Sequence, residues 1–263
     1  MLRTRILSAL VLLPVLLGTI FYLPPAATLV LCAIVIVLGT DELLGMTSKG
    51  APTPRVLVAL MAVSVFVAFA WPGTPRLDLV LLSATIVFGT IALSTMHPGE
   101  DVARRVSVLA MPLWYLAVPI GALGAVRVRF GPVVLFVLLA TIIVSDVGQY
   151  FGGRAFGRTP LAPVVSPKKT REGAYAGFVL AGGAFVGMSR VWLPEMPIAF
   201  AIVLGVTLVA LGIAGDLFES LLKRSAGVKD SSGLIPGHGG ILDRIDAFLF
   251  AAPVYYIALT LLP

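Results

Sequence analysis

The chain reads as a succession of long apolar runs, without the strict alternation of a half-buried strand or the single stripe of a surface helix. Nine such runs stand near residues 6–23, 25–46, 54–72, 77–95, 106–125, 131–151, 173–193, 197–217 and 246–262. About 18–20 apolar residues is the length at which an α-helix crosses the hydrocarbon of a bilayer. There the backbone satisfies its own N–H and C=O groups only in a helix or a closed barrel, and a barrel would alternate. Pro24, Pro25, Pro54, Pro132, Pro194 and Pro197 stand at run edges, where a missing N–H and a ring clash end a helix. The pattern predicts an all-α, polytopic transmembrane helix bundle of about nine spans. Two connections are long and polar, 152–172 and 218–245. The expected organisation is an N-terminal set of transmembrane helices over 1–130 and a C-terminal catalytic region over 131–263 that carries both polar loops.

Composition agrees. Of 263 residues, 59% are hydrophobic and 12% charged, and the mean hydropathy is +1.04. A soluble domain of this length cannot bury so much apolar surface. The one cysteine, Cys32, lies inside an apolar run, which permits no internal disulfide and predicts a structural thiol. A net charge of +6 would by itself admit a nucleic-acid partner. The basic residues sit in short connections, however, so the charge reads as an orientation signal and no nucleic acid is expected. With the N-terminus cytoplasmic, Arg76, Arg127, Arg129 and Arg190 face outward and the other 15 of the 19 lysines and arginines face the cytoplasm. The opening Met1-Leu2-Arg3-Thr4-Arg5 before an apolar run looks like a signal peptide, but no small-residue cleavage site follows, which predicts a retained first span.

The acidic residues then acquire meaning. Asp41 and Glu42, Asp146, Asp216 and Glu219, and Asp243 and Asp246 all fall near run ends that this orientation puts on the cytoplasmic side. A carboxylate at bilayer depth costs at least about 2.5–3.5 kcal/mol, so such groups face a partner or a wet cavity. Several spans delivering carboxylates to one depth predict a shared polar site, and Asp146 and Asp216, flanked by apolar residues, are read as functional. Asp41 and Glu42 fit either that site or a simple helix end at the interface. If the eighth span continues as a helix, Asp216, Glu219, Ser220 and Lys223 share one face. Asp243 and Asp246 are likewise spaced i, i+3. Between them the glycine-rich turn Gly237-His238-Gly239-Gly240 lets backbone amides approach an anion. Carboxylates beside Lys223, Arg224, Lys229 and Arg244 suit a complex of polyphosphate with a hard cation such as Mg2+.

These residues carry a resemblance. Ser220, Lys223, Arg224, Lys229, Asp230, Gly233, Pro236, His238, Gly239, Gly240, Asp243, Arg244 and Asp246 reproduce the signature of the phosphatidate cytidylyltransferases, or CDP-diacylglycerol synthases. A second stretch is similar to the family's other recurrent region: Asp146, Tyr150-Phe151-Gly152-Gly153, Phe156-Gly157 and Ser166-Pro167-Lys168-Lys169-Thr170-Arg171-Glu172-Gly173. The resemblance covers about residues 140–250; the first five runs match only in hydrophobicity and number. It implies the reaction of CTP with phosphatidate, giving CDP-diacylglycerol and diphosphate with Mg2+. It implies Asp216 and Asp243 as metal ligands, with a second cation near Asp216, Asp243 and Asp246. Lys168 and Lys169 would meet the triphosphate or the lipid phosphate. It implies a homodimer in the cell (inner) membrane, with the active site on the cytoplasmic side and membrane lipid as partner.

The residues expected at the site are therefore Lys168, Lys169, Asp216, Lys223, Arg224, Lys229, Asp230, His238, Asp243, Arg244 and Asp246, with Ser166, Thr170, Ser220, Gly239 and Gly240 around the phosphates. His238 either hydrogen-bonds a phosphate oxygen or orders the turn, and Ser166 and Thr170 either donate to phosphate or cap the next helix. His97 reads as an exposed loop residue. Two rivals differ in class. A transporter would place its acidic residues at mid-membrane and show inverted repeats, and neither is seen. Another lipid nucleotidyltransferase or kinase would differ in its lipid groove, which the sequence does not display.

Overall fold

The computed structural model describes residues 2–48, 54–71, 73, 76–97, 101–235 and 239–262, and of residues 2–9 and 12 the backbone only. Pro236 and His238 of the expected signature thus lie outside the described residues. The helices are α1 (Leu2–Tyr22), α2 (Pro25–Thr47), α3 (Arg55–Ala70), α4 (Leu77–Thr95), α5 (Val102–Pro112), α6 (Val118–Arg129), α7 (Pro132–Phe156), α8 (Arg171–Trp192), α9 (Ile198–Ala226) and α10 (Leu242–Thr260). Among the described residues six helices are long and apolar enough to cross a membrane: α2, α4, the continuous segment Val102–Arg129, α7, α8 and α9. The chain is an all-α membrane protein with one small hairpin. It divides into two compact units, Met1–Val128 with Asp230–Leu242, and Arg129–Lys229 with Asp243–Pro263.

In the first unit α2 and α3 pack around Leu43, Leu44, Val58 and Phe66, all buried. Gly124 of α6 sits where a Cβ would come within 2.8 Å of Leu29 and 3.1 Å of Ala70, so only glycine lets these helices approach. Pro112 ends α5, and Leu113–Ala117 widen into a π turn before α6 resumes. Proline has no N–H for the i→i−4 bond, and an added residue in the turn absorbs the defect. In α4 only Ala84 and Phe88 are buried, while Leu79, Leu82, Ile86 and Leu93 are exposed, as suits a helix solvated by lipid. Asp41 pairs with Arg55 at 2.8 Å with both side chains exposed, so it is a helix-end residue.

The second unit is built on glycine. Gly148 and Gly152 of α7 meet Gly173 and Gly177 of α8, each pair four residues apart and so on one helix face. A Cβ at Gly173 would lie 2.6 Å from the Gln149 carbonyl oxygen, and one at Gly148 would lie 3.1 Å from the Gly177 Cα. Lipid offers no hydrophobic drive between helices, so close van der Waals contact through small residues holds them. Gly152→Val is therefore expected to cost at least about 1–3 kcal/mol, because its Cβ would run into that of Ala176. A thermal unfolding midpoint in detergent equal to wild type would contradict this packing.

Both polar connections are more ordered than the sequence suggested. Helix α7 runs on to Phe156, and Pro160–Ala162 (β1) pairs antiparallel with Ser166–Thr170 (β2), Pro160 opposite Thr170 and Ala162 opposite Ser166. The Glu172 carboxylate accepts the Arg158 and Thr159 amides at 3.0 and 3.1 Å, tying the hairpin to α8. Thr170 caps α8 by accepting from the Gly173 amide at 3.2 Å. Helix α9 continues past 217 to Ala226, where Gly227, at φ +79°, supplies the left-handed cap. The 218–245 connection thus begins as helix and ends inside α10.

Candidate active site

The continuation of α9 puts Asp216, Ser220 and Lys223 on one face, and the early start of α10 puts Asp243 in its first turn. In the second unit Asp216 meets α7 and β2. A cavity of about 430 Å³ is lined by Asp146, Tyr150 and Arg154 of α7, Lys168 and Lys169 of β2, and Asp216 of α9. The α7 residues recur at i, i+4 and i+8, the spacing that keeps them on one side of a helix. Lys169 Nζ is ion-paired with Asp216 Oδ2, and Ser220 Oγ donates to Asp216 Oδ1 at 3.5 Å. Gln149 Nε2 donates to Ser145 Oγ at 3.1 Å and to Asp146 Oδ1 at 3.4 Å. Arg154 donates to the Tyr150 hydroxyl at 3.2 Å.

A second cluster in the same unit is nearly dry. Lys223 Nζ bridges Glu219 Oε2 and Asp243 Oδ1, and the three side chains are 10%, 0% and 8% exposed. Asp246 lies within electrostatic range of Asp216, Glu219 and Asp146, and Asp146 within range of Asp216, Lys169 and Arg244. Two lysines thus neutralise three carboxylates, while Asp146 and Asp246 accept from neutral N–H groups, those of Gln149 and Ala247. Like charges held together out of water repel, and Lys169, Lys223 and the nearby Arg244 offset that repulsion.

Among the described residues no group of three or more His, Cys, Asp or Glu side chains is arranged to hold a metal ion alone. Asp216, Asp243 and Asp246 therefore form no closed cage. Magnesium asks for less, since one or two carboxylates suffice when phosphate oxygens and water complete its octahedron. An acidic, all-oxygen donor set, Asp216 with Asp243 or Asp246, fits that requirement.

The structure sorts the remaining expected residues. Lys168, Lys169 and Thr170 line the cavity. Ser166 pairs with Ala162 at the other end of the hairpin from Thr170. Arg224, Lys229, Asp230 and Arg244 are exposed, and Arg224 donates to the Val228 carbonyl at 3.1 Å. Gly239 and Gly240 belong to the first unit, where Gly239 takes φ +78° and bonds to Ile235. The expected site residues left out Gln149 and Arg154, and Tyr150 was named only within the second recurrent stretch. Helical spacing from Asp146 was the available signal for Gln149 and Tyr150, inside the expected run 131–151, while Arg154 needed α7 to extend beyond 151.

Comparison with known proteins bears on this geometry. The model of the cytidylyltransferase family matches residues 3–262. The phosphatidate cytidylyltransferase of Pseudomonas aeruginosa is 36% identical over 270 residues, spanning 97% of this chain and 96% of that one. That of Haemophilus influenzae is 35% identical over 283 residues, 97% of each chain. That of Helicobacter pylori (strain 26695) is 39% identical over 195 residues, 73% of this chain and 68% of the relative. A match along almost its whole length places the chain in the cytidylyltransferase family.

Proposed function

We propose that this protein transfers the cytidylyl group of CTP to phosphatidate, giving CDP-diacylglycerol and diphosphate. The observation that carries the reading is the lysine- and carboxylate-lined cavity formed by the second recurrent stretch and Asp216, in a chain similar over nearly its full length to phosphatidate cytidylyltransferases. An oxygen of the phosphatidate phosphate forms a bond to the α-phosphorus of CTP. The bond from that phosphorus to the bridging oxygen of the β-phosphate breaks, and diphosphate leaves with the electron pair. The attacking group is already an anion, so the site needs no side-chain nucleophile and no strong base. Catalysis is then mainly positioning and charge neutralisation.

The chain's own residues divide that work. Lys169 is held by Asp216 before substrate arrives and can exchange the carboxylate for a phosphate oxygen of similar charge. Lys168 and Arg154 add positive charge at the cavity wall, and Tyr150 orients the guanidinium. Asp216, with Asp243 or Asp246, would hold Mg2+, which supplies charge neutralisation on the phosphates. A second cation, carried over from the family resemblance, would lie near Asp216, Asp243 and Asp246. The nine-span arrangement with a cytoplasmic N-terminus and site rests on the biased placement of the basic residues. A position in the cell (inner) membrane and a homodimeric assembly are carried over from the family resemblance.

The test is turnover by purified protein in mixed micelles, with phosphatidate and radiolabelled CTP, in Mg2+ or in EDTA. Label is expected in CDP-diacylglycerol only with Mg2+. No labelled lipid from folded protein would overturn the phosphatidate reading, and label appearing with a polyprenol or another phospholipid would name the acceptor instead. Equal turnover in EDTA would remove Mg2+ from the site.

A further inference from the structure

In the first unit one buried carboxylate holds both ends of the segment 230–242. Glu42 of α2 is 7% exposed. Its Oε1 accepts from Ser232 Oγ at 2.6 Å and from the Ile241 amide at 2.9 Å. Its Oε2 accepts from Ser231 Oγ at 3.0 Å and from the Leu242 amide at 3.0 Å. Each oxygen therefore takes one hydroxyl from the start of the segment and one backbone amide from its end. A Cβ at Gly240 would lie 2.5 and 2.6 Å from the two Glu42 oxygens, so a glycine at this position is what lets the carboxylate reach. The amides it takes open α10, where a helix leaves N–H groups unpaired and favours a negative charge.

We infer that Glu42 is a positioning residue for the transfer reaction, its carboxylate clamping the 230–242 segment and setting the start of α10. The inference rests on the proposed role of Asp243, the residue that follows Leu242 in the chain. Asp243 stands in the first turn of α10, whose leading amides Glu42 accepts, so a loop free at its end would let that turn fray and loosen Asp243 from Lys223. Charge and size alone do not meet the requirement, because the four donors need four acceptor lone pairs. In a glutamine the amide nitrogen must face either the Ile241 or the Leu242 N–H. The serine hydroxyls can turn away, but a backbone amide cannot, and neither glutamine orientation removes the clash of donors.

The experiment compares Glu42→Gln with Asp243→Asn and wild type, all full-length in detergent, by steady-state kinetics and by amide hydrogen exchange over 239–244. Glu42→Gln is expected to remain folded, to lose about 10–100-fold in kcat, to keep its KM for phosphatidate, and to exchange the Ile241 and Leu242 amides faster. Asp243→Asn is expected to be inactive. An active Asp243→Asn would overturn the reading of the site itself. Wild-type kcat in Glu42→Gln beside an inactive Asp243→Asn would overturn the role of Glu42 alone, as would a loss fully explained by less folded protein. If Glu42→Gln does not fold, Gly240→Ala carries the same test, since its Cβ displaces the carboxylate. Normal kcat and exchange in that variant would equally defeat the inference.

Discussion

Lys223→Met is expected to lower the thermal unfolding midpoint in detergent more than any other single change at this site. The methionine fills nearly the same volume, so the loss is electrostatic. Glu219 and Asp243 share the Lys223 ammonium, and both side chains are almost excluded from solvent. Removing one partner of a buried ion pair leaves uncompensated charge and costs about 3–5 kcal/mol. Here two carboxylates are left facing each other. Against a typical total of about 5–15 kcal/mol, that is a large fraction of the stability. Lys223→Arg keeps the charge and a two-pronged donor set, and is expected to recover much of the loss. Circular dichroism or fluorescence melts of the three proteins decide it. A Lys223→Met protein that melts with wild type would mean that Glu219 and Asp243 do not depend on Lys223, and the second cluster would have to be redrawn.

Asp216→Asn is expected to have the opposite profile, with nearly intact folding and almost no turnover. The Lys169 and Asp216 side chains are 21% and 30% exposed, so their ion pair is screened by water and contributes about 1 kcal/mol or less to stability. Asparagine keeps the shape and can still accept from Ser220. It lacks the charge that holds Lys169 in place and that would bind a hard cation. Groups that stabilise transition-state charge from a fixed position each account for about 10²–10³ in rate, and Asp216 serves two such groups. The measurement is kcat at saturating CTP and phosphatidate with a melt of the same preparation. Ordinary turnover would take Asp216 out of the chemistry, while lost turnover with a lowered midpoint would make it structural.

These two residues also show why stability and activity separate within one motif. Lys223 and Asp216 lie seven residues apart on the same face of α9, yet one side chain is enclosed and the other opens into the cavity. Helical spacing predicts the shared face, but the depth of each residue depends on what α10 and β2 bring against it.

What the sequence by itself determined is the all-α membrane character, the apolar cores of the helices and the set of polar residues that carry the signature. Those properties follow from local physics. Apolar run length answers to bilayer thickness, proline ends helices through its own ring, and i, i+3, i+4 spacing fixes a face wherever a helix forms. Asp216 stood out as a carboxylate flanked by apolar residues near a span end, whereas Lys168 and Lys169 entered only through the family resemblance. Tertiary structure alone decided the rest, because the partners are distant in the chain. Lys169 finds Asp216 across 47 residues, and Glu42 finds its four donors 189 to 200 residues away. No periodicity in α2 separates Glu42 from Asp41, one a buried clamp and the other an exposed partner of Arg55. The glycines of α7 and α8 likewise read as weak helix formers until the two helices meet, when each missing Cβ becomes the space that the neighbouring backbone occupies.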